Sequence, residues 1–369
     1  MKYLLEHGGA PVGMIGTVRY DLGDKALPSY KTTPESADLY AMLRNMQSAG
    51  CTEAVMEVSS HGIDQERVDG LNLAVAAFLN LSQDHLDYHH TMDEYFRTKS
   101  KLFNGLNGPV PKVAIVNLDC PWGRRLVEEI PPKVRIVTFG EAMDADFRCR
   151  EVQLSQSGTE FLVECPEGVF EVFSPLLGRY NVSNVLAASA IANAMGKPVS
   201  ESIKEVGSFY GVEGRMQAID EGQPYKVLVD YAHTPDALRT VLSALRPHVA
   251  SRLICVFGAG GDRDSDKRAP MGAAVADGAD IAIVTDDNPR TENPAEIRQA
   301  VVNGCPFAYE IGDRQAAIHA GLDVLDAGDV LLIAGKGHES GQAVGNTIIP
   351  FDDMKVASAA ILHRGGTVR

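Results

Sequence analysis

Short, continuously apolar runs recur along this chain, each ending in a polar loop and followed by a helical stretch. In the first half they are "EAVMEVSSHG" (53–62), "AVAAFLNLSQDHLDYH" (74–89) and "KVAIVNLDCP" (112–121). In the second half they are "YKVLVDYAHTPDAL" (225–238), "RLICVFGAGGDRD" (252–264), "IAIVTDDNPR" (281–290) and "DVLLIAGKGHE" (329–339). A strand with one wet face alternates apolar and polar residues, whereas a strand apolar throughout is buried on both faces. Such strands, separated by helices, require parallel sheets covered on both sides. The expected class is α/β, with two doubly wound, mostly parallel-sheet domains and helices near 34–49, 182–195, 235–245 and 315–327.

Between the two sets lies "RCREVQLSQSGTEFLVECPEGVFEVFSPLLGRYN" (148–181), whose alternation and Gly turns predict a small antiparallel addition around 148–176. A fresh strand follows "EGQPY" (221–225), so the expected domains are 1–222 and 223–369. A chain of 369 residues exceeds one ordinary core. With 45% hydrophobic and 22% charged residues it has the composition of a globular protein. No apolar run approaches the roughly 18 residues that span a bilayer, and "MKYLLEHGG" lacks the features of a secretion signal. Cys51, Cys120, Cys149, Cys165, Cys255 and Cys305 are scattered without a CxxC pair, which argues against zinc or a disulfide framework and suits a reducing cytoplasm. A net charge of −15 argues against nucleic acid as a partner, so an anionic substrate needs local cationic sites.

The unusual polar residues sit just after the strands, where open α/β sheets bind ligands. Two such sites with substrate between them are expected. Glu57 is placed to bind Mg²⁺, a hard ion that prefers oxygen, although "VSSHG" serves equally well as a helix N-cap. Asp84, His85, Asp87, His89 and His90 form a cluster that suggests a metal, but no HExxH pattern supports catalytic zinc. Asn181 and Asn184 open a helix, either as caps or as amides presented to a ligand. Arg215 follows a glycine and is able to reach a phosphate. Asp230 and His233 lie at a strand end. "GAGGDRD" does not meet the dinucleotide-binding register.

Taken in order, "GTVRY", "TTP", "MEVSSHG", "NLSQDHLDYH", "GRYNVSN", "GRM", "VDYAHTPDAL", "FGAGGDRD", "TDDNPRTE" and "AGKGHE" resemble the Mur ligases, most closely their MurE members. The resemblance implies an ATP-dependent, amide-forming cytoplasmic ligase of peptidoglycan synthesis, acting as a monomer. It implies UDP-N-acetylmuramoyl-L-alanyl-D-glutamate (UDP-MurNAc-L-Ala-D-Glu) and meso-diaminopimelate as substrates, with ATP and Mg²⁺. It further implies that Thr32, Thr33, Ser59, Gln65 and Arg67 hold the nucleotide-sugar peptide. By the same resemblance Glu57, His85 and a carbamylated Lys99 bind Mg²⁺, and Asn181, Asn184, Arg215, Asp230 and His233 serve ATP. Lys99 and Arg215 are the implied catalytic residues. Arg263, Asp287, Asn288, Pro289, Arg290, Gly335 and Glu339 are the implied diaminopimelate pocket.

Family members also carry a glycine-rich ATP loop of the form GTNGKT, and GxxxxGK[ST] occurs nowhere in these residues. The expectation is a reading frame that opens inside the helix after that loop, with Met1 an internal methionine and little ATP turnover. Two alternatives accompany this reading. One is a lysine-adding or other Mur-type ligase, against which "DNPR" speaks; the other is a non-catalytic remnant that binds only the amino acid.

Overall fold

The computed structural model describes residues 1–6, 9–82, 84–106, 108–155 and 157–365. Two compact units result. The first comprises Met1–Gln153, Thr159–Ser174 and Arg179–Phe209; the second comprises Leu154–Gly158, Pro175–Gly178 and Tyr210–Arg369. The division at Tyr210 lies upstream of the expected "EGQPY" because the short strand after Arg215 pairs with the sheet of the second unit.

In chain order the first unit contains α1 (Lys2–Glu6), β1 (Val12–Ile15), β2 (Arg19–Asp21), β3 (Ala26–Pro28), α2 (Ser36–Ser48), β4 (Glu53–Met56), α3 (Ser60–Asp64) and β5 (Val75–Phe78). It continues with α4 (Leu86–His89), α5 (Met92–Asn104), β6 (Val113–Asn117), α6 (Pro121–Glu129), β7 (Arg135–Gly140), β8 (Phe147–Leu154), β9 (Thr159–Cys165), β10 (Gly168–Ser174), α7 (Arg179–Ala194) and α8 (Val199–Val206). One sheet runs β3-β2-β1-β4, with β1 and β4 parallel. The other runs β10-β9-β8-β7-β6-β5: β5 to β8 are parallel neighbours, and β9 and β10 form the antiparallel hairpin.

The second unit contains β11 (Gln217–Ile219), β12 (Lys226–Asp230), α9 (Pro235–Leu245), β13 (Leu253–Phe257), α10 (Arg268–Gly278), β14 (Ile281–Val284), α11 (Pro294–Val302) and β15 (Tyr309–Glu310). Then come α12 (Arg314–Asp323), β16 (Val330–Ala334), β17 (Gly341–Val344), β18 (Thr347–Pro350) and α13 (Asp353–Gly365). The sheet order is β11-β12-β16-β13-β14-β15, parallel from β12 to β15 with β11 antiparallel at its edge. Successive residues of one strand feed opposite cores. In β13, Leu253, Cys255 and Phe257 pack with Leu238 and Met271, while Ile254 and Val256 pack with Ile318 and Ala357. Every residue of β13 and β16 is buried, which is why these strands are apolar without alternation.

Helix starts follow local chemistry. Thr234, Asn293 and Asp313 cap α9, α11 and α12 with side-chain oxygens, and Pro235 and Pro294 occupy first-turn positions where no amide hydrogen is needed. Parallel pairing aligns Asp230 with Ala334, Val256 with Ile333, and Phe257 with Val284, so the loops after β12, β16, β13 and β14 emerge at one edge.

A buried ion pair ties the helices on one face to that edge. The Arg314 guanidinium, at the start of α12, donates to both carboxylate oxygens of Asp353 at 2.8 and 2.7 Å and to the carbonyl of Ala334 at 3.0 Å. Both side chains are fully buried. Breaking one partner leaves an uncompensated buried charge, so Arg314→Met is expected to destabilise the second unit by about 3–5 kcal/mol. The double variant Arg314→Met, Asp353→Leu is expected to regain much of that loss. Denaturant unfolding followed by circular dichroism measures both.

Candidate active site

In the second unit the loop after β14 separates its two acids. Asp286 pairs with Arg298, which also binds Glu310. Asp287 turns inward, is 8% exposed, and its Oδ2 is buried without a hydrogen-bond partner. Burial pushes the Asp287 carboxyl up from the ordinary aspartate value, and the charges of Arg314 and Lys336 oppose that rise. Asn288 is buried beside it. Its Nδ2 donates to Glu339 Oε2 at 2.9 Å, while its Oδ1 accepts from Lys336 Nζ and from the Ala343 amide, each at 2.9 Å. Burial raises the Glu339 carboxyl, but the Asn288 amide and Lys336 outweigh it and hold Glu339 below the usual value.

Pro289 restricts Asn288 to extended backbone, and Arg290 follows in the left-handed region at φ +50°. The hairpin β17–β18 holds that conformation: Arg290 N donates to Ala343 O at 3.0 Å, and Gly345 N donates to Arg290 O at 2.7 Å. Gln342 Nε2 donates to Asp287 O at 2.7 Å. The Arg290 guanidinium spends Nη1 on Gly261 O at 2.7 Å. Gly261 is required here, because a β-carbon would lie 2.0 Å from Pro289 O. Gly335, just after β16, has φ +118°, and a β-carbon there would lie 2.6 Å from Asp287 Oδ2. Arg263 is exposed on the loop after β13, with Nη1 on Asp262 O at 3.1 Å.

Next to this loop, the end of β12 presents a second cluster. Asp230 accepts from the amides of Met216 and Ala232, each at 2.8 Å, so its carboxylate organises backbone. The Arg215 guanidinium stacks 4.5 Å over the Tyr231 ring, and its Nη1 is buried without a partner. His233 Nδ1 contacts Tyr231 O at 2.8 Å, and Lys267 Nζ donates to His233 O at 3.1 Å.

The first unit joins six of the expected residues in one network. Thr33 Oγ1 donates to Glu57 O at 3.0 Å and accepts from Ser59 N at 2.9 Å. Arg67 Nη1 donates to Thr33 O at 2.9 Å, and its other terminal nitrogen donates to Gln65. Thr17 bonds Glu57 Oε2 through its amide at 3.1 Å and its hydroxyl at 2.6 Å, and its hydroxyl also meets Thr32 Oγ1 at 3.1 Å. Ser59 caps α3, so the loop after β4 both caps a helix and presents a carboxylate. His85 and Lys99 meet at Tyr95: the His85 ring lies 6.0 Å from it, and Lys99 Nζ lies 5.3 Å from its centroid. Burial lowers the Lys99 ammonium pKa. Asn181 and Asn184 sit in the first turns of α7, bonded to each other at 3.0 Å. Among the described residues, no group of three or more His, Cys, Asp or Glu is gathered closely enough to hold a metal. Among the described residues, no helix is long and apolar enough to cross a membrane.

Sequence reading missed Thr17, Lys336, Gln342 and Ala343. A lysine one residue beyond five buried apolar residues, across Gly335, was the available signal for Lys336, since a charge there is buried unless the chain turns at once.

Asp287 yields a prediction with a definite sign. Its folded-state pKa is raised, so the native state holds the proton more tightly than the unfolded chain, and stability is lost as pH rises above the ordinary carboxylate range. Asp287→Asn is therefore expected to stabilise the second unit at neutral pH, by about 1 kcal/mol. The gain should vanish as pH falls toward about 4. Thermal unfolding at several pH values checks this.

Comparison with known proteins places the chain. Residues 1–192 match the Mur ligase middle domain and residues 214–337 the Mur ligase glutamate ligase domain. The UDP-N-acetylmuramoyl-L-alanyl-D-glutamate–2,6-diaminopimelate ligase of Thermosynechococcus vestitus is 43% identical over 99% of this chain and 74% of its own length. That of Listeria monocytogenes is 41% identical over 99% of this chain and 76% of its own. A solved structure of a ligase with the same name superposes with a TM-score of 0.72 at 36% identity, covering 99% of this chain and 75% of that one. The chain belongs to the Mur ligase family, in its MurE branch.

Proposed function

We propose that this chain joins meso-diaminopimelate to UDP-MurNAc-L-Ala-D-Glu at the expense of ATP. The observation that carries the substrate choice is the loop after β14. A buried carboxylate with an unpartnered oxygen, Asp287, stands three residues from the forked cation of Arg290. An α-amino-acid centre offers the complement: its ammonium to Asp287 and Glu339, its carboxylate to Arg290. Diaminopimelate has such a centre at its far end, whereas lysine has no carboxylate there, and this favours the diaminopimelate reading over the lysine-adding one.

In the proposed reaction a carboxylate of the D-Glu residue takes the γ-phosphoryl group, giving an acyl phosphate and ADP. The free amine of diaminopimelate attacks the acyl carbon, phosphate leaves, and an amide remains. Protein catalysis of such a step is positioning plus stabilisation of charge. Arg215 is suited to stabilising that charge, because stacking on Tyr231 leaves it a buried N–H donor for a phosphoryl oxygen. Thr32, Thr33, Ser59, Gln65 and Arg67 are assigned to the nucleotide-sugar peptide, which their shared network supports. Asn181, Asn184, Asp230 and His233 are assigned to the ATP side, with Asp230 acting through the backbone it organises. Arg263 and Gly335 complete the diaminopimelate pocket in this reading.

Mg²⁺ belongs to the reading through the family resemblance. In this structure Glu57 is engaged with Thr17, while His85 and Lys99 lie near Tyr95. The lowered Lys99 pKa favours the neutral amine that carbon dioxide captures, which supports carbamylation there.

Two measurements test this reading. ADP formation should require ATP, the UDP-dipeptide and diaminopimelate together; turnover without diaminopimelate would sink the assignment. Arg290→Ala should raise KM for diaminopimelate by roughly 10- to 100-fold, the loss of a charge-assisted pair. KM for ATP should change by less than about twofold, since the other pocket keeps its donors. An unchanged KM for diaminopimelate counts against Arg290 as the carboxylate partner.

A further inference from the structure

Lys336 stands out because its side chain is fully buried while its nitrogen touches two pocket residues. Lysine is almost never buried unless it is paired. Here Nζ donates to Asn288 Oδ1 at 2.9 Å and to Glu339 Oε2 at 3.0 Å. The Ala343 amide donates to the same Asn288 oxygen at 2.9 Å. Two donors on one oxygen fix the amide: flipping it would set N–H against both. Nδ2 must then face Glu339, as it does at 2.9 Å. Glu339 Oε2 is thereby occupied twice.

We infer that Lys336 is a positioning and specificity residue for the amino-acid pocket, holding Asn288 and Glu339 in place and keeping two neighbouring acids ionised together. The inference rests on the diaminopimelate reading above. Its electrostatic part follows from the charged groups around Asp287. Arg314 and Asp353, an ion pair, face it from the starts of α12 and α13, the first favouring its ionisation and the second opposing it. Glu339 opposes ionisation of Asp287, and Lys336 favours it. Glu339 itself faces Lys336 and His338. Two carboxylates that act on one another ionise together poorly unless a cation acts on them as well. With Lys336 charged, the acids face an incoming ammonium as anions; without it, one of them takes up a proton and no longer attracts that ammonium.

Calorimetric titration of the chain with meso-diaminopimelate across pH tests this. Lys336→Met keeps the unbranched stem, one atom shorter, and removes the charge. It is expected to weaken binding at neutral pH by about tenfold or more, and to move the acid limb of binding to higher pH, with affinity partly recovered on raising pH. Glu339→Gln changes a side chain that is 34% exposed and removes one of the two acids. Its acid limb is expected at lower pH than in the unaltered chain, whatever its affinity. Circular dichroism confirms folding of each variant, and Glu339→Gln decides the matter if Lys336→Met does not fold. Binding by Lys336→Met that is unchanged, or weaker by one factor at every pH, overturns the inference, as does an unmoved acid limb in Glu339→Gln. Failure of the unaltered chain to bind diaminopimelate overturns the substrate reading and the inference with it.

Discussion

Holding a carboxylate in a dry site without a partner is the constraint around which the second unit is organised. An isolated buried anion is costly unless other charges or dipoles offset its desolvation. Asp287 has an unpartnered oxygen, and two fully buried cations act on it, Arg314 and Lys336. Each cation is itself anchored: Arg314 by Asp353 and the carbonyl of Ala334, Lys336 by Asn288 and Glu339. The ion pair at the foot of α12 and α13 is thus part of the same electrostatic unit as the loop after β14. Helix packing and pocket chemistry are coupled there through one carbonyl at the end of β16.

Parallel strand order makes that coupling possible. β16 threads between β12 and β13, so the loop carrying Gly335, Lys336 and Glu339 emerges beside the loops carrying Asp230 and Arg263. Gly335 N even donates to Asp230 O at 3.1 Å. The antiparallel hairpin β17–β18 then covers the backbone of residues 287 to 290 with ladder-like bonds. A left-handed Arg290 is uncommon for a non-glycine residue. It persists here because both its amide and its carbonyl are held by the hairpin.

The architecture was legible because its signal is repeated. Continuously apolar strands such as 253–257 and 330–334 do feed two cores, as their lack of alternation demands. The loop residues were legible because polar side chains at strand ends have few structural reasons to cluster. What could not be read were contacts made across sequence distance. Nothing local distinguishes Asp286 from Asp287; only the position of Arg298 on α11 shows which acid is neutralised at the surface and which turns inward. Gln342 and Ala343 hold the backbone and amide of the loop at 287–290, and nothing in their local sequence signals it. Glu57 and its neighbours were open between a helix cap and a ligand-binding carboxylate. The structure assigns the cap to Ser59 and leaves Glu57 to Thr17.

That last separation bears on how such loops evolve chemistry without losing the fold. In the loop after β4 the residue that stabilises the helix is not the residue that offers charge. The loop after β14 follows the same division: Asp286 secures the loop to α11, while Asp287 sits in an environment that raises its pKa. A charge retained for stability is expected to be paired, as Arg314 is with Asp353. Asp287 and Arg215 each keep a buried, unsatisfied atom, and both lie where parallel strands end. A buried polar atom without a partner calls for a ligand, a water or a strain account. In the proposed reaction the carboxylate oxygen of Asp287 meets the ammonium of the amino acid, and the Arg215 nitrogen meets a phosphoryl oxygen.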